Sequence, residues 1–236
     1  MADVTRYPRR LAALAGEFMS IAARAGSLRD ARSVWTIARD AEKIPGWVEG
    51  AAAREVAARS LLLPGDPAIV EVGVFMGRST ALLAAARRAR GSGKVFCVDP
   101  FDGSGDDFSV PFYQAELDKV GARSLEEAFR RNIGSRGLDP WVEVLKGPSA
   151  LVAASWSRPI DLLLLDGDHS PVGARAIFET WSRFLAPGGQ IILHNTGERV
   201  YAEGHDGNYR VASSDLRQPP FRDLRQIAYT SYATRG

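Results

Sequence analysis

Three features of the sequence predict an α/β fold with a mostly parallel, doubly wound sheet. Apolar runs of strand length alternate with helical patterns from Ala68 onward. The runs LLLL at 162–165 and IIL at 191–193 do not alternate in polarity, which fits strands covered on both faces. Repeated strand–helix units require right-handed crossovers, and these place helices on both faces of one sheet. The expected boundaries are a helical extension or lid over 1–63 and the sheet domain over 64–236.

The elements follow in order. Residues 1–63 are rich in Ala, Arg and Leu and read as helix, with breaks at Gly26-Ser27 and at Ile44-Pro45-Gly46-Trp47. The segment MADVTRYPRRLAALAGEF has the basic start and apolar stretch of a signal peptide. Glu17 interrupts that stretch, however, and Arg24, Arg29 and Asp30 follow at helical spacing, so an amphipathic helix and a cytoplasmic protein are expected. AIVEVGVF (68–75) is the first strand, STALLAAARRA (79–89) a helix and KVFCVDP (94–100) the second strand. A Gly/Asp-rich loop at 102–109 leads to a helical region ending near Arg136, within which Ser124 and Glu127 have capping-box spacing. WVEVLKG (141–147), a short helix from Ser149, PIDLLLLDGD (159–168), a helix over about 173–185 and GGQIILHN (188–195) complete the alternation. QPPF (218–221) breaks the chain, and RQIAYTSYA (225–233) reads as a final, antiparallel edge strand.

Composition narrows the function classes. Of 236 residues, 45% are hydrophobic and 25% charged, the balance of a chain that folds around a core. A single cysteine, Cys97, excludes an intrachain disulfide framework. The net charge of +2 is too even to point to nucleic acid. No apolar run approaches the roughly 20 residues that span a bilayer, so no membrane partner is expected.

In an open parallel sheet, ligands bind beyond the carboxyl ends of the strands, where strand order reverses. Glu71-Val-Gly73-Val-Phe75-Met-Gly77 is a glycine-bearing turn at such an end, and its glycines let backbone approach a ligand. Ser79 is placed to cap the next helix, whose N-terminus favours a carboxylate or phosphate. An acid occupies the first glycine position of the dinucleotide fingerprint. Glu71 would repel a pyrophosphate and attract an ammonium group. Asp99 ends the second strand 26 residues after Gly73, where a carboxylate can accept both hydroxyls of a ribose. Amine recognition at one strand end and ribose recognition at the next describe S-adenosylmethionine better than NAD.

IVEVGVFMGRST (69–80), CVDPFDG and LLLLDGDHS together resemble a class I S-adenosylmethionine-dependent methyltransferase. With Ile44-Pro-Gly-Trp47, the pattern is similar to the family of cephalosporin hydroxylase-type proteins and antibiotic sugar O-methyltransferases, over roughly residues 40–195. The resemblance implies a Rossmann-like sheet and transfer of a methyl group to a small-molecule hydroxyl in natural-product biosynthesis. It also implies that Glu71, Gly73, Phe75, Gly77, Arg78, Ser79 and Thr80 hold the methionine part of the cofactor. Asp99 would bind the ribose, Gly147 and Ser149 would border the adenine, and Asp166 and His169 would face the methyl group.

Methyl transfer needs the acceptor oxygen aligned and its proton removed. A histidine base is one device, and His169 and His194 both sit at strand ends. Asp168 either orients His169 or caps the next helix. A divalent cation such as Mg is the other device, with Asp166, His194 and Asn195 as its ligands. Related metal-dependent enzymes carry an acidic pair where this chain has His194-Asn195, and hard cations prefer oxygen ligands, so metal independence is favoured. The acidic loop 101–114 reads either as solvated or as a lid whose carboxylates meet the acceptor. Segment 195–210 reads as the opposite wall. The N-terminal helices would cover the cofactor or form a homodimer contact. Methyl transfer to nitrogen, an oxidative-tailoring partner and a non-catalytic subunit are the alternative readings.

Overall fold

The computed structural model describes the backbone of residues 6–198 and 201–236 and the side chains from Leu11 onward. Residues 199–200 of the 195–210 segment, and the side chains of the basic cluster ending at Arg10, lie outside what is described. Three helices come first: α1 (Arg6–Ala25), α2 (Leu28–Ala41) and α3 (Gly50–Leu62), broken at the two sites that the sequence marks. Ser27 starts α2 by accepting a hydrogen bond from Asp30 N. Glu17, which interrupts the apolar stretch, pairs with Arg54 at 2.8 Å, and Arg24 reaches the buried Glu55, so α1 is tied to α3.

The sheet region runs β1 (Ala68–Val72), α4 (Arg78–Arg90), β2 (Lys94–Asp99), α5 (Val110–Val120), α6 (Leu125–Gly134), β3 (Val142–Lys146), α7 (Ser149–Ala154), β4 (Ile160–Leu165), α8 (Pro171–Ser182) and β5 (Leu185–His194). It closes with α9 (Gly207–Ser214), β6 (Phe221–Ile227) and β7 (Thr230–Arg235). Spatial order is β3-β2-β1-β4-β5-β7-β6, parallel through β5 and antiparallel beyond it. Order therefore reverses between β1 and β4, and a crevice opens there beyond the strand ends.

Strand alternation sorts the core into two layers. Ile69, Cys97, Leu162, Leu164 and Ile192 face a layer shared with α2, α3 and α4. Val70, Val72, Leu163, Leu165 and Leu193 face α8 and α9, where Trp181 is fully buried with its indole N–H on Ser149 Oγ. Ser124 accepts from Glu127 N, and Glu127 reaches back to Arg123 N, so the capping spacing does start α6.

The tail differs from its sequence reading. RQIAYTSYA is not one strand but the turn of a hairpin: β6 ends at Ile227, Ala228 takes φ 51, and β7 returns beside β5. The turn carries no Gly, Pro, Asn or Asp, so nothing in the sequence punctuates it.

Candidate active site

A cavity of about 400 Å³ lies at the switch point. Gly73, Val74, Phe75, Arg78 and Ser79 line it from the β1–α4 turn, and Asp166 and His169 from the end of β4. His194, Asn195, His205, residues 45–49 and the Phe108–Tyr113 segment complete the lining, with the Phe108 ring 4.5 Å from that of His205. Register explains the convergence. Val72 pairs with Leu165 and Leu165 with Leu193, so Gly73, Asp166 and His194 leave the sheet at one level.

Glu71, Gly77, Thr80, Asp99, Gly147 and Ser149 do not line this cavity. Alternation turns Glu71 to the α4 face, where it is fully buried and accepts hydrogen bonds from Ser79 Oγ and, at 2.6 Å, from Thr80 Oγ1. Its carboxyl braces the turn from beneath, and Ser79 holds Glu71 rather than capping α4, whose N-cap is Gly77. The Gly73 turn is pressed against protein as well as facing the cavity: a Cβ there would meet the Asp166 carbonyl, with Gly167 Cα at 2.6 Å. Gly77 gives way to the Phe129 ring at 3.0 Å. Asp99 turns its carboxylate back to the loops, accepting from Val74 N at 2.8 Å and Phe101 N at 2.7 Å. Ser149 is engaged by Trp181.

Burial pushes the Glu71 carboxyl up to about 7, against the two hydroxyl hydrogen bonds, and nearby Asp99 adds to the rise. A folded-state pKa above the unfolded value means that the native state binds more protons. Stability from this group is therefore fully present below about pH 4.5 and falls as pH rises to about 7. Glu71→Gln should remove that slope in chemical denaturation across pH, with an effect at pH 8 on the order of 3 kcal/mol. An unchanged slope would contradict this assignment.

Asp166 is half-buried, with Oδ1 buried and unpartnered 3.5 Å from His169 Nε2. Burial, and secondarily the charge of Glu71, drive its pKa well above the carboxylate range. Asp168 proves to be a local cap: its Oδ1 accepts from Ser170 N at 2.8 Å, and Ser170 in turn caps α8. His169 is oriented instead by Asn208, whose Nδ2 lies 3.0 Å from the His194 carbonyl and 3.1 Å from His169 Nδ1. A carbonyl only accepts, so the amide nitrogen donates to both, which leaves the His169 proton on Nε2, toward Asp166. Asn208→Ala should abolish the single Nε2–H tautomer in the ¹⁵N imidazole spectrum and lower turnover about tenfold. An unaltered spectrum would contradict this orientation.

The third histidine belongs to the same cluster. Asp106 Oδ1 accepts from His205 Nδ1 at 2.9 Å, and Asn195 Nδ2 lies 2.7 Å from His205 Nε2. Burial opposes ionisation of Asp106, but hydrogen bonds from Ser109 and His205 hold its pKa below the usual range. The loop carboxylates therefore serve the loop: Asp106 clamps it to His205, and Asp102 accepts from Ser104 N. His194 Nδ1 meets Thr230 Oγ1 at 3.0 Å across the β5–β7 pair. Asp166, His194 and Asn195, the ligands considered for a cation, all line the cavity. Asn195 is committed to His205, and among the described residues no three His, Cys, Asp or Glu side chains are arranged to hold a metal. Also among the described residues, no helix is long and apolar enough to cross a membrane.

Asn208, His205 and Asp106 were not legible as site residues. They stand 39, 10 and 99 positions from the groups they touch, outside any strand-end motif. The polar segment following His194 and the acidic loop 101–114 that holds Asp106 were the available signals.

Solved structures with the same fold include an O-methyltransferase from Bacillus cereus in complex with SAH, at 16% identity over 87% of this chain and 91% of that one (TM-score 0.57). The O-methyltransferase NovP is 19% identical over 78% of each chain (TM-score 0.56). TomG of Streptomyces achromogenes, involved in tomaymycin synthesis and solved with SAM, is 16% identical over 86% and 89% (TM-score 0.53). The family model described as a methyltransferase domain matches residues 70–196, from β1 through the end of β5, and so takes in the Gly73 turn, Asp166, His169 and His194. With more than half of its length matched, this chain belongs to the methyltransferase-domain family.

Proposed function

We propose that the chain is an S-adenosylmethionine-dependent O-methyltransferase acting on a small hydroxylated molecule, with Asp166 as the general base. The observation that carries this reading is the Asp166 carboxylate at the end of β4. It lines the cavity, accepts no hydrogen bond on Oδ1, and is held at a raised pKa. A carboxylate so placed is a stronger base than one in water and suits removal of a hydroxyl proton.

The cofactor fits the methionine end of the cavity. Arg78 Nη1 is buried there without a partner, while its Nε holds the Ile44 carbonyl at 2.7 Å. Arg78 would take the amino-acid carboxylate, with Gly73, Phe75 and Ser79 around it. Asp99, Gly147 and Ser149 stand beyond the cavity at the ends of β2 and β3; the assignment of Asp99 to ribose rests on its strand-end position and the resemblance, and that of Gly147 and Ser149 to adenine on the resemblance. When bound, the cofactor supplies an electrophilic methyl group on a sulfonium. Asp166 receives the acceptor proton, with His169 Nε2 lying 3.5 Å from its Oδ1. Residues 45–49, which belong to the proposed 1–63 extension, close the cavity from above. Solved neighbours with SAH or SAM support the cofactor, and TomG's part in tomaymycin synthesis supports a natural-product acceptor.

Calorimetric titration tests the cofactor. SAH should bind at micromolar strength, NAD should give no heat, and Arg78→Ala should weaken SAH about tenfold to a hundredfold through loss of a charged hydrogen bond. Binding of NAD in place of SAH would sink the reading.

A further inference from the structure

The groups that line the cavity differ in what they still offer to a ligand. Around the histidines the polar side chains are committed to one another: Asn208 to His169, Thr230 to His194, and Asp106 and Asn195 to His205. Among the described residues that line the cavity, the buried side-chain atoms that lack a hydrogen-bond partner are Asp166 Oδ1 and Arg78 Nη1. The remaining lining is aromatic, and it meets the polar groups where the Phe108 ring lies 4.5 Å from that of His205. Trp47, Phe75 and Tyr113 form a continuous row with ring centroids 5.1 and 5.4 Å apart, and Phe108 and Phe112 lie 5.2 Å apart. Trp47, Phe108 and Phe112 are 53%, 45% and 46% exposed, so the cavity is edged by apolar rings open to water.

Resting on the methyltransferase reading, we infer that the acceptor is a flat aromatic molecule with a single hydroxyl, a phenol or its fused-ring equivalent. Its ring covers the exposed aromatic faces and its hydroxyl meets the Asp166 carboxylate. With Arg78 assigned to the cofactor, Asp166 Oδ1 is the buried acceptor left for a hydroxyl, while the other lining carboxylate, Glu49, is exposed at the 45–49 edge. A sugar would bring several further hydroxyls against a wall whose donors and acceptors are engaged, and each one left unpaired loses about tenfold in affinity. Acidity points the same way. A phenol ionises near pH 10, within reach of a carboxylate of raised pKa, whereas an alkyl hydroxyl is a far weaker acid. In the transfer, the phenolic oxygen bonds to the methyl carbon as the carbon–sulfur bond breaks. The electron pair of that bond stays on sulfur as a neutral thioether, and the hydroxyl proton passes to Asp166.

Calorimetry on the full chain saturated with SAH, using naphthol, naphthylamine and methyl glucoside as probes, tests the inference. Naphthol should bind at least about a hundredfold more tightly than the glucoside. Phe112→Ala should weaken naphthol about tenfold. Equal affinities, tighter binding of the glucoside, or no naphthol binding would overturn the aromatic assignment, and tighter binding of the amine would overturn the hydroxyl. Failure of SAH to load would count against the cofactor reading alone. The same comparison on the unloaded chain would then still decide the acceptor class.

Discussion

Asp166→Asn should lower kcat by about 10² to 10⁴ while SAH affinity stays within about threefold of wild type. The amide keeps the size of the carboxyl and its contact with His169 but accepts no proton at neutral pH. The measurement is SAH release at saturating SAM, paired with calorimetry on the same preparation. A matched loss of binding would make Asp166 a cofactor ligand instead, and full turnover would remove it from the chemistry. Asp166 stands apart from the three histidines because each imidazole has a protein partner that fixes it. His169 faces Asn208, His194 faces Thr230 and His205 faces Asp106.

Gly73→Ala should be nearly as damaging, through the backbone. The residue has φ +84, and the new methyl group would strike the carbonyl of Asp166, with Gly167 Cα at 2.6 Å. Both obstacles are backbone atoms beside the parallel β1–β4 pair, so no rotamer change relieves them. Left-handed strain and the clash together should cost about 3 kcal/mol or more, a fall in Tm of roughly 10 °C, with turnover falling as Asp166 shifts. Gly121→Ala is the control, because its φ is +61 and an added methyl would meet nothing within 4 Å, leaving about 1 kcal/mol of backbone strain. Equal losses in the two variants would show that the close approach of β1 and β4 does not limit the site.

Strand ends were legible because parallel strands buried on both faces leave long apolar runs, and the chemistry follows directly after them. Gly73, Asp166, His169 and His194 were found that way, and all four line the cavity. What an end residue does was less legible. Glu71 and Asp99 are acids at strand ends, as expected, yet Glu71 faces α4 by alternation and Asp99 folds back onto loop amides. Spacing does not distinguish a carboxylate that meets a ligand from one that meets its own backbone. Ser79 shows the same limit, since a hydroxyl two residues into a helix serves a buried acid as readily as a free N–H. Asn208 was hidden for a different reason. Its effect depends on where two ring nitrogens and one carbonyl converge, and that emerges only when α9 packs against α8 and β5.

Whether Asp166 is the base is decided by the pH dependence of methyl transfer at saturating SAM, in wild type and Asp166→Asn. Asp166 has a raised pKa and must be ionised to accept a proton, so activity should rise with pH along an acid limb lying well above the ordinary carboxylate range. That limb should be absent from the residual activity of Asp166→Asn. A wild-type profile that is flat through this region, or a limb that persists unchanged in the variant, would contradict the assignment of Asp166 as the base.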